Sequence, residues 1–170
     1  MFKLKCKTIL LTFIFVILIG CNTNTTKAVK PNLRSISFTA DITYYNEIYT
    51  ADCIIDKDGN LQVVMNSPDS LKGLLLEYSG NECKASYNGL VIDNAQSYLP
   101  VTSPVALLKD IIKNSEDAQV VQDNKKLIMK GKYKDNNYYL SLAPTGLPIA
   151  FYLPDYGMSV AFKNVAVLNE

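Results

Sequence analysis

The chain has no histidine. That excludes the Ser-His and Cys-His nucleophile systems and removes the commonest metal ligand. No serine is followed three positions later by lysine, so the Ser-x-x-Lys pattern is missing too. The eight glycines are scattered and form no phosphate-cradling loop. Lys and Arg total 17 against 16 Asp and Glu, so there is no basic excess to follow a nucleic-acid backbone. Asp56-Lys-Asp-Gly-Asn60 has its glycine at the wrong offset for a calcium loop and no closing glutamate; it reads as a hairpin turn. Paired carboxylates are the one remaining route to catalysis, with Glu47, Asp52, Glu77 and Asp93 as the acids. Acids on strands ordinarily make a solvated face, so the expectation is a protein that is not an enzyme and uses no cofactor or metal.

What is present starts at the N-terminus. Lys3, Lys5 and Lys7 precede an apolar run from Ile9 to Ile19, broken only by Thr12. The run is too short and its flanks too one-sided for a spanning helix, and it reads as a leader over residues 1–20. It ends in Leu18-Ile19-Gly20-Cys21, which resembles the lipobox of bacterial lipoproteins. The resemblance implies cleavage before Cys21 and a diacylglyceryl group on its sulfur. Two acyl chains anchor stably where one is marginal. The chain is therefore expected on the extracytoplasmic face of a cell membrane. Lysine far outnumbers the single arginine, Arg34, and Asn and Ile are abundant, a skew that fits a low-GC Gram-positive bacterium. Residues 21–34 are polar and lack periodicity, which predicts a tether. Residues 35–170 then form one domain, with no nucleic-acid partner expected.

Period two dominates that domain. Ile36, Phe38, Ala40, Ile42 and Tyr44 alternate with polar residues, the pattern of a half-buried antiparallel strand. Further strands are predicted through Tyr49–Ile55, Leu61–Met65, Gly73–Ser79, Cys83–Asn88, Leu90–Ile92, Leu127–Lys134, Tyr138–Ala143, Leu147–Leu153 and Met158–Leu168. In the last, Met158, Val160 and Phe162 share one parity and Val165 and Val167 the other, which predicts a bulge near Lys163-Asn164. The pattern breaks once. Ser103-Pro104 offers an N-cap with proline at the first helical position, and Val105, Leu108, Ile111 and Ile112 then fall on one helical face. The expected class is mostly β (α+β): a strongly curved antiparallel sheet or incomplete barrel of about ten strands, with one amphipathic helix on its concave face. Without βαβ alternation, a parallel sheet is not expected. Cys53 and Cys83 form an even pair in an exported domain. The compartment allows a disulfide, and two buried thiols acting as small hydrophobes are the alternative.

The stretch Pro68-Asp-Ser-Leu71-Lys-Gly73-Leu-Leu-Leu-Glu-Tyr78, then Tyr87-Asn-Gly89-Leu90, Thr145-Gly-Leu-Pro148 and Met158-Ser-Val-Ala-Phe162 resembles small Gram-positive lipoproteins related to the LolA/LolB lipoprotein-localisation superfamily. The resemblance implies an incomplete antiparallel barrel around a hydrophobic cavity and the binding of acyl chains or a hydrophobic partner. Read this way, Phe38, Ile42, Leu74, Leu76, Tyr78, Tyr87, Phe151, Val160 and Phe162 line the interior, and Leu108 and Ile112 act as a lid. The rival for each is an ordinary core position. A second functional reading, an interaction module for another envelope protein, rests on eleven tyrosines, several of them paired, as in Tyr44-Tyr45 and Tyr138-Tyr139. Germination lipoproteins of spore-formers, similar in fold, assist a cell-wall hydrolase in that manner. Adjacent tyrosines on a strand face opposite sides, and tyrosine suits interfaces.

Overall fold

A computed structural model describes residues 30–100, 102–115, 120–123 and 126–169. The proposed leader and Cys21 lie outside the described residues. Eleven strands form one antiparallel sheet. They are β1 (Ile36–Tyr44), β2 (Glu47–Ile55), β3 (Leu61–Ser67), β4 (Leu75–Ser79), β5 (Glu82–Tyr87), β6 (Leu90–Ile92), β7 (Val120–Asp123), β8 (Lys126–Tyr133), β9 (Asn136–Leu142), β10 (Pro148–Leu153) and β11 (Met158–Val167). The helix α1 spans Pro104–Ser115, between β6 and β7.

The strand order is β6-β5-β4-β3-β2-β1-β11-β10-β9-β8-β7. Two meanders are thus joined where the first strand pairs with the last, Ile42 opposite Val160 and Ala40 opposite Phe162. Strands β6 and β7 are left as the two edges, and the chain between them must travel from one edge to the other. Helix α1 is that connection. Its consecutive residues Lys109 and Asp110 reach opposite arms of the sheet. The Lys109 ammonium lies 5.7 Å from the centre of the Tyr78 ring on β4. The Asp110 carboxylate accepts a hydrogen bond from the Tyr133 hydroxyl on β8 at 3.2 Å. In the strand order β4 and β8 are seven places apart, about 34 Å in a flat sheet. One helix touches both only because the sheet curls around it.

Local sequence explains the corners. Tyr45 and Asn46 both take positive φ, giving β1–β2 the two-residue turn whose twist matches the strands. The Asp56 carboxylate accepts from the backbone N–H of Asp58 and Asn60 and from the Asn60 side-chain amide, closing the β2–β3 turn. Slight burial acts against the Asp56 charge, but these bonds outweigh it and hold the carboxyl below the usual range. The β1–β11 register shifts between Ser37 and Thr39, opposite Ala166 and Lys163, and Asn164 has φ +52° there. This is the bulge that the parity change in β11 requires. At the helix start the Ala106 N–H reaches the Ser103 hydroxyl at 3.4 Å, so Ser103 caps α1 as its sequence predicts.

Two details depart from the sequence expectation. Strand β7 is additional, and its short segment Val120-Val-Gln-Asp123 carries little alternation. Leu33 is buried in the core and the Asn32 N–H bonds to the Gly146 carbonyl, so packing begins before Ser35 and the end of the expected tether belongs to the fold. Cys53 and Cys83 are both buried and both free. They sit on β2 and β5 with two strands between them, a lateral distance of about 14 Å, and no disulfide spans that. The thiols serve as small core hydrophobes.

Candidate functional site

Inward residues of every long strand meet those of α1 in one cluster: Ile36, Phe38, Ala40 and Ile42 of β1, Val63 of β3, Leu140 of β9 and Val160 of β11 face Val105, Leu107, Leu108, Ile111 and Ile112. Phe38, Ile42, Leu76, Tyr78, Phe151, Val160, Leu108 and Ile112, proposed as cavity wall and lid, are buried. Leu74, Tyr87 and Phe162 are only partly buried and lie toward the rim. Phe162 meets Phe38 edge-on at 5.1 Å, and the Tyr87 hydroxyl donates to the Ser70 carbonyl at 3.2 Å. Ile42 and Leu108 expose 0% and 1% of their surface. A side chain that closed to water has no water-sized void beside it, so these two are packed core in this conformation. Helical spacing had left out Leu107, which is also fully buried, because its environment includes the far wall of the curled sheet.

Three clefts open around Tyr78, two of them bordered by α1. One cleft of about 120 Å³ is bounded by Arg34, Asp58, Gly59, Asn60, Leu61, Tyr78, Gly80, Lys109, Ile112 and Lys113. A second of about 300 Å³ runs along the outer side of the β3–β4 end, past Ile54, Gln62 and Glu77 to Tyr78. A third of about 120 Å³ lies on the other side of Lys109, among Asn81, Gln96, Leu99, Pro100, Asp110 and again Tyr78. Tyr78 is common to all three. Its residue is 5% exposed, and its hydroxyl is fully buried with no hydrogen-bond partner. Burial, then the neighbouring Cys83 thiol and the Asp110 charge, push the Tyr78 pKa up, so the phenol stays protonated.

Among the described residues the polar contacts of α1 are few. Besides Tyr133–Asp110, the Ser115 hydroxyl donates to the Ile111 carbonyl at 2.5 Å and lies 3.4 Å from the Tyr138 hydroxyl on β9. Burial first, then the Asp110 charge, push Tyr133 up to about 12.

Of the acids weighed for catalysis, Glu77 and Asp93 border one open cleft of about 380 Å³ together with Glu82 and Lys84, and Glu47 and Asp52 are not in its lining. Asp52 accepts from the Thr39 hydroxyl and the Asn66 amide on the outer face, and Glu77 accepts from Gln62. Among the described residues no three His, Cys, Asp or Glu side chains gather as a metal site. No helix among them is long and apolar enough to cross a membrane.

The Tyr138-Tyr139 pair divides as alternation predicts, whereas Tyr45 sits in the β1–β2 turn. Tyr138 is buried against Phe151, 5.9 Å between ring centres, and Tyr139 is half-buried on the other face. Tyr44 packs on the core, whereas Tyr45 is exposed and meets it edge-on at 4.7 Å. The most exposed apolar segment was not in the tyrosine argument at all. It is the edge strand β6, where Leu90, Val91 and Ile92 all face solvent, followed by Tyr98 at 79% exposure.

No protein-family model matches the chain, and no curated protein matches it either. Among solved structures the chain is similar to a LolA superfamily protein from Nitrosomonas europaea. The two share 12% identity over 79% of this chain and 85% of that one, with a TM-score of 0.41. At this level the likeness assigns the chain to no family.

Proposed function

We propose that the chain is a membrane-anchored, extracytoplasmic binding module that takes an apolar ligand, a lipid or acyl chain, into its half-barrel beneath α1. The observation that carries this reading is the roof. Among the described residues the concave face of the unclosed sheet is lined mainly by apolar side chains, and a helix of 12 residues covers it. Helix and sheet share no ladder of backbone hydrogen bonds to break. Lifting α1 costs a few side-chain contacts and the exposure of its five buried apolar residues together with the sheet residues beneath them, and a ligand that refills the vacated surface offsets that exposure. Phe38, Ile42, Leu76, Phe151, Val160 and the partly buried Leu74, Tyr87 and Phe162 are then the ligand wall, with Leu108 and Ile112 on the lid. Cys21 supplies the anchor through its diacylglyceryl group. Native mass spectrometry of protein purified from membranes tests this: a co-purifying lipid is expected, and a clean apo mass together with no uptake of a fluorescent fatty acid rejects it.

The edge strand supports a second reading, a module that scaffolds or activates another envelope protein such as a cell-wall hydrolase. An edge of three exposed aliphatic residues offers unpaired backbone groups and apolar side chains together, which natural sheets usually block. Site-specific cross-linking from position 91 separates the readings. A single stoichiometric protein product, lost in Leu90→Lys, favours the scaffold.

A further inference from the structure

The two arms of the curled sheet carry opposite charge on their convex faces. Strands β2–β5 present Asp52, Glu77 and Glu82 there against one cation, Lys84. Strands β8–β10 present Lys130 and Lys132, both exposed, and among the described side chains of that face no acid. Alternation sets this: Met129 and Tyr133 point into the core, so Lys130 and Lys132 point out. Neither lysine has an ion-pair partner among the described residues. In the adjoining turn Lys134 and Asp135 offset each other. Two tyrosines stand beside the lysines. Lys130 lies opposite Tyr139 on β9, and Tyr139 opposite Tyr152 on β10. The three form a row across the convex face, with about 4.8 Å between neighbouring strands. Tyr152 is 51% exposed, and Tyr139 is half-buried. Such a face suits the interface of an anionic bilayer: ammonium groups meet lipid phosphates, and phenol rings settle at head-group level. The chain also joins the fold on this arm. The Asn32 N–H bonds to the Gly146 carbonyl in the β9–β10 turn at 2.9 Å. Asn32 is eleven residues beyond Cys21. The turn therefore stays within about 40 Å of Cys21, whatever path the chain takes between them.

We propose that the convex face of β8–β10 lies on the anionic surface of the membrane, with Lys130 and Lys132 on lipid phosphates and Tyr139 and Tyr152 at head-group depth. This rests on the anchored reading and adds an orientation to it. The sheet curls around α1, so its two convex arms face apart, and the acidic arm is turned away from the lipid. A contact of two cations and two rings is weak by itself. The anchor makes it intramolecular, and the high effective concentration of the surface then suffices.

The chain has no tryptophan, so one introduced indole reports one position. The full chain is reconstituted into vesicles of phosphatidylcholine alone or mixed with phosphatidylglycerol, each with a head-group spin-labelled lipid as quencher. Quenching of Tyr152→Trp is expected when phosphatidylglycerol is present, and it should fade in molar salt. Val64→Trp, on the opposite convex arm, is expected to stay bright in both. Adding Lys130→Gln and Lys132→Gln to Tyr152→Trp is expected to weaken docking about 25-fold, about fivefold for each lysine. Lys130→Arg with Lys132→Arg is expected to retain docking, which separates loss of charge from loss of fold. Vesicle flotation reads the anchor independently. A chain that floats with both vesicles while Tyr152→Trp is quenched no more than Val64→Trp overturns the docking face and leaves the anchor standing. Equal quenching of Tyr152→Trp with and without phosphatidylglycerol overturns it too. Flotation with the anionic vesicles alone supports the face and overturns the anchor. Flotation with neither overturns both. A Tyr152→Trp emission that ignores the vesicles but shifts on adding soluble poly(glycerol phosphate) gives the face to a dissolved polyanion and overturns the membrane as its occupant.

Discussion

Tyr138 on β9 lies directly across Gly131 on β8, and its phenol occupies the space where any side chain at 131 would begin. The two are Cα partners in the ladder, and a Cβ built on Gly131 would fall closer to the Tyr138 ring and hydroxyl than real side chains approach. The phenol has nowhere to retreat, with Phe151 beside it and Ser115 at its hydroxyl.

Gly131→Ala is therefore expected to destabilise the fold by about 2 kcal/mol through overpacking. Urea unfolding measures it. A change within about 0.5 kcal/mol, the range of neutral surface substitutions, would show that the ring moves freely and that the core around α1 is loose.

Tyr78→Phe is expected to leave stability unchanged or raise it by about 1 kcal/mol, because it removes a buried hydroxyl that has no partner. Thermal melts of wild type and variant without added lipid decide the matter. A loss of stability would mean that the hydroxyl is bonded in solution.

At high pH the buried thiol of Cys53 becomes a liability. Burial first, then the Asp52 charge, raise its pKa from 9.0 to about 12. A raised folded value contributes its stability in full below pH 9 and loses it as pH climbs toward 12. The loss amounts to about 4 kcal/mol across that window by linkage. Tyr133, pushed up to about 12 by burial and the Asp110 charge, steepens the upper part of the same limb. Cys53→Ala should lower stability at neutral pH by about 1 kcal/mol through the small cavity it leaves and flatten the decline between pH 9 and 12. An unchanged alkaline slope in that variant would rule out the thiol as its cause.

The opposite sign applies to Asp56. Its folded pKa lies below the ordinary aspartate value of 3.8, so its contribution is complete above that value and disappears as pH falls through the lowered one. Asp56→Ala should cost about 1 kcal/mol at pH 7, the usual worth of such turn-closing bonds, with the difference from wild type shrinking in acid. Guanidinium unfolding at pH 7 and pH 2.5 compares the two. A difference that persists undiminished at pH 2.5 would show that the carboxylate charge is not what closes the β2–β3 turn.

Much of this architecture was legible because its causes are local. Strand β1 alternates without a fault, so its inward face is fixed by residue type alone. Ser103 and Pro104 start α1 for reasons contained within four residues, and the parity change after Phe162 demands the bulge that Asn164 provides. The rim cleft was not legible. Arg34, Gly59, Tyr78 and Lys113 are far apart along the chain, and no periodicity ties a residue before β1 to a helix eighty positions later. Tyr78 stood out as an inward residue of β4, but an inward position does not tell whether its hydroxyl finds a partner.

What the sequence determined by itself is the set of pieces: period-two strands, one amphipathic helix and the turns between them, all governed by interactions within a few residues. Only the tertiary structure decided that β1 pairs with β11, that the sheet curls until β4 and β8 meet the same helix, and that β3 and β4 hold Cys53 and Cys83 apart. Pairing and curvature come from how many strands share one apolar interior and how the connection from β6 to β7 crosses it, and no short window of sequence contains that geometry.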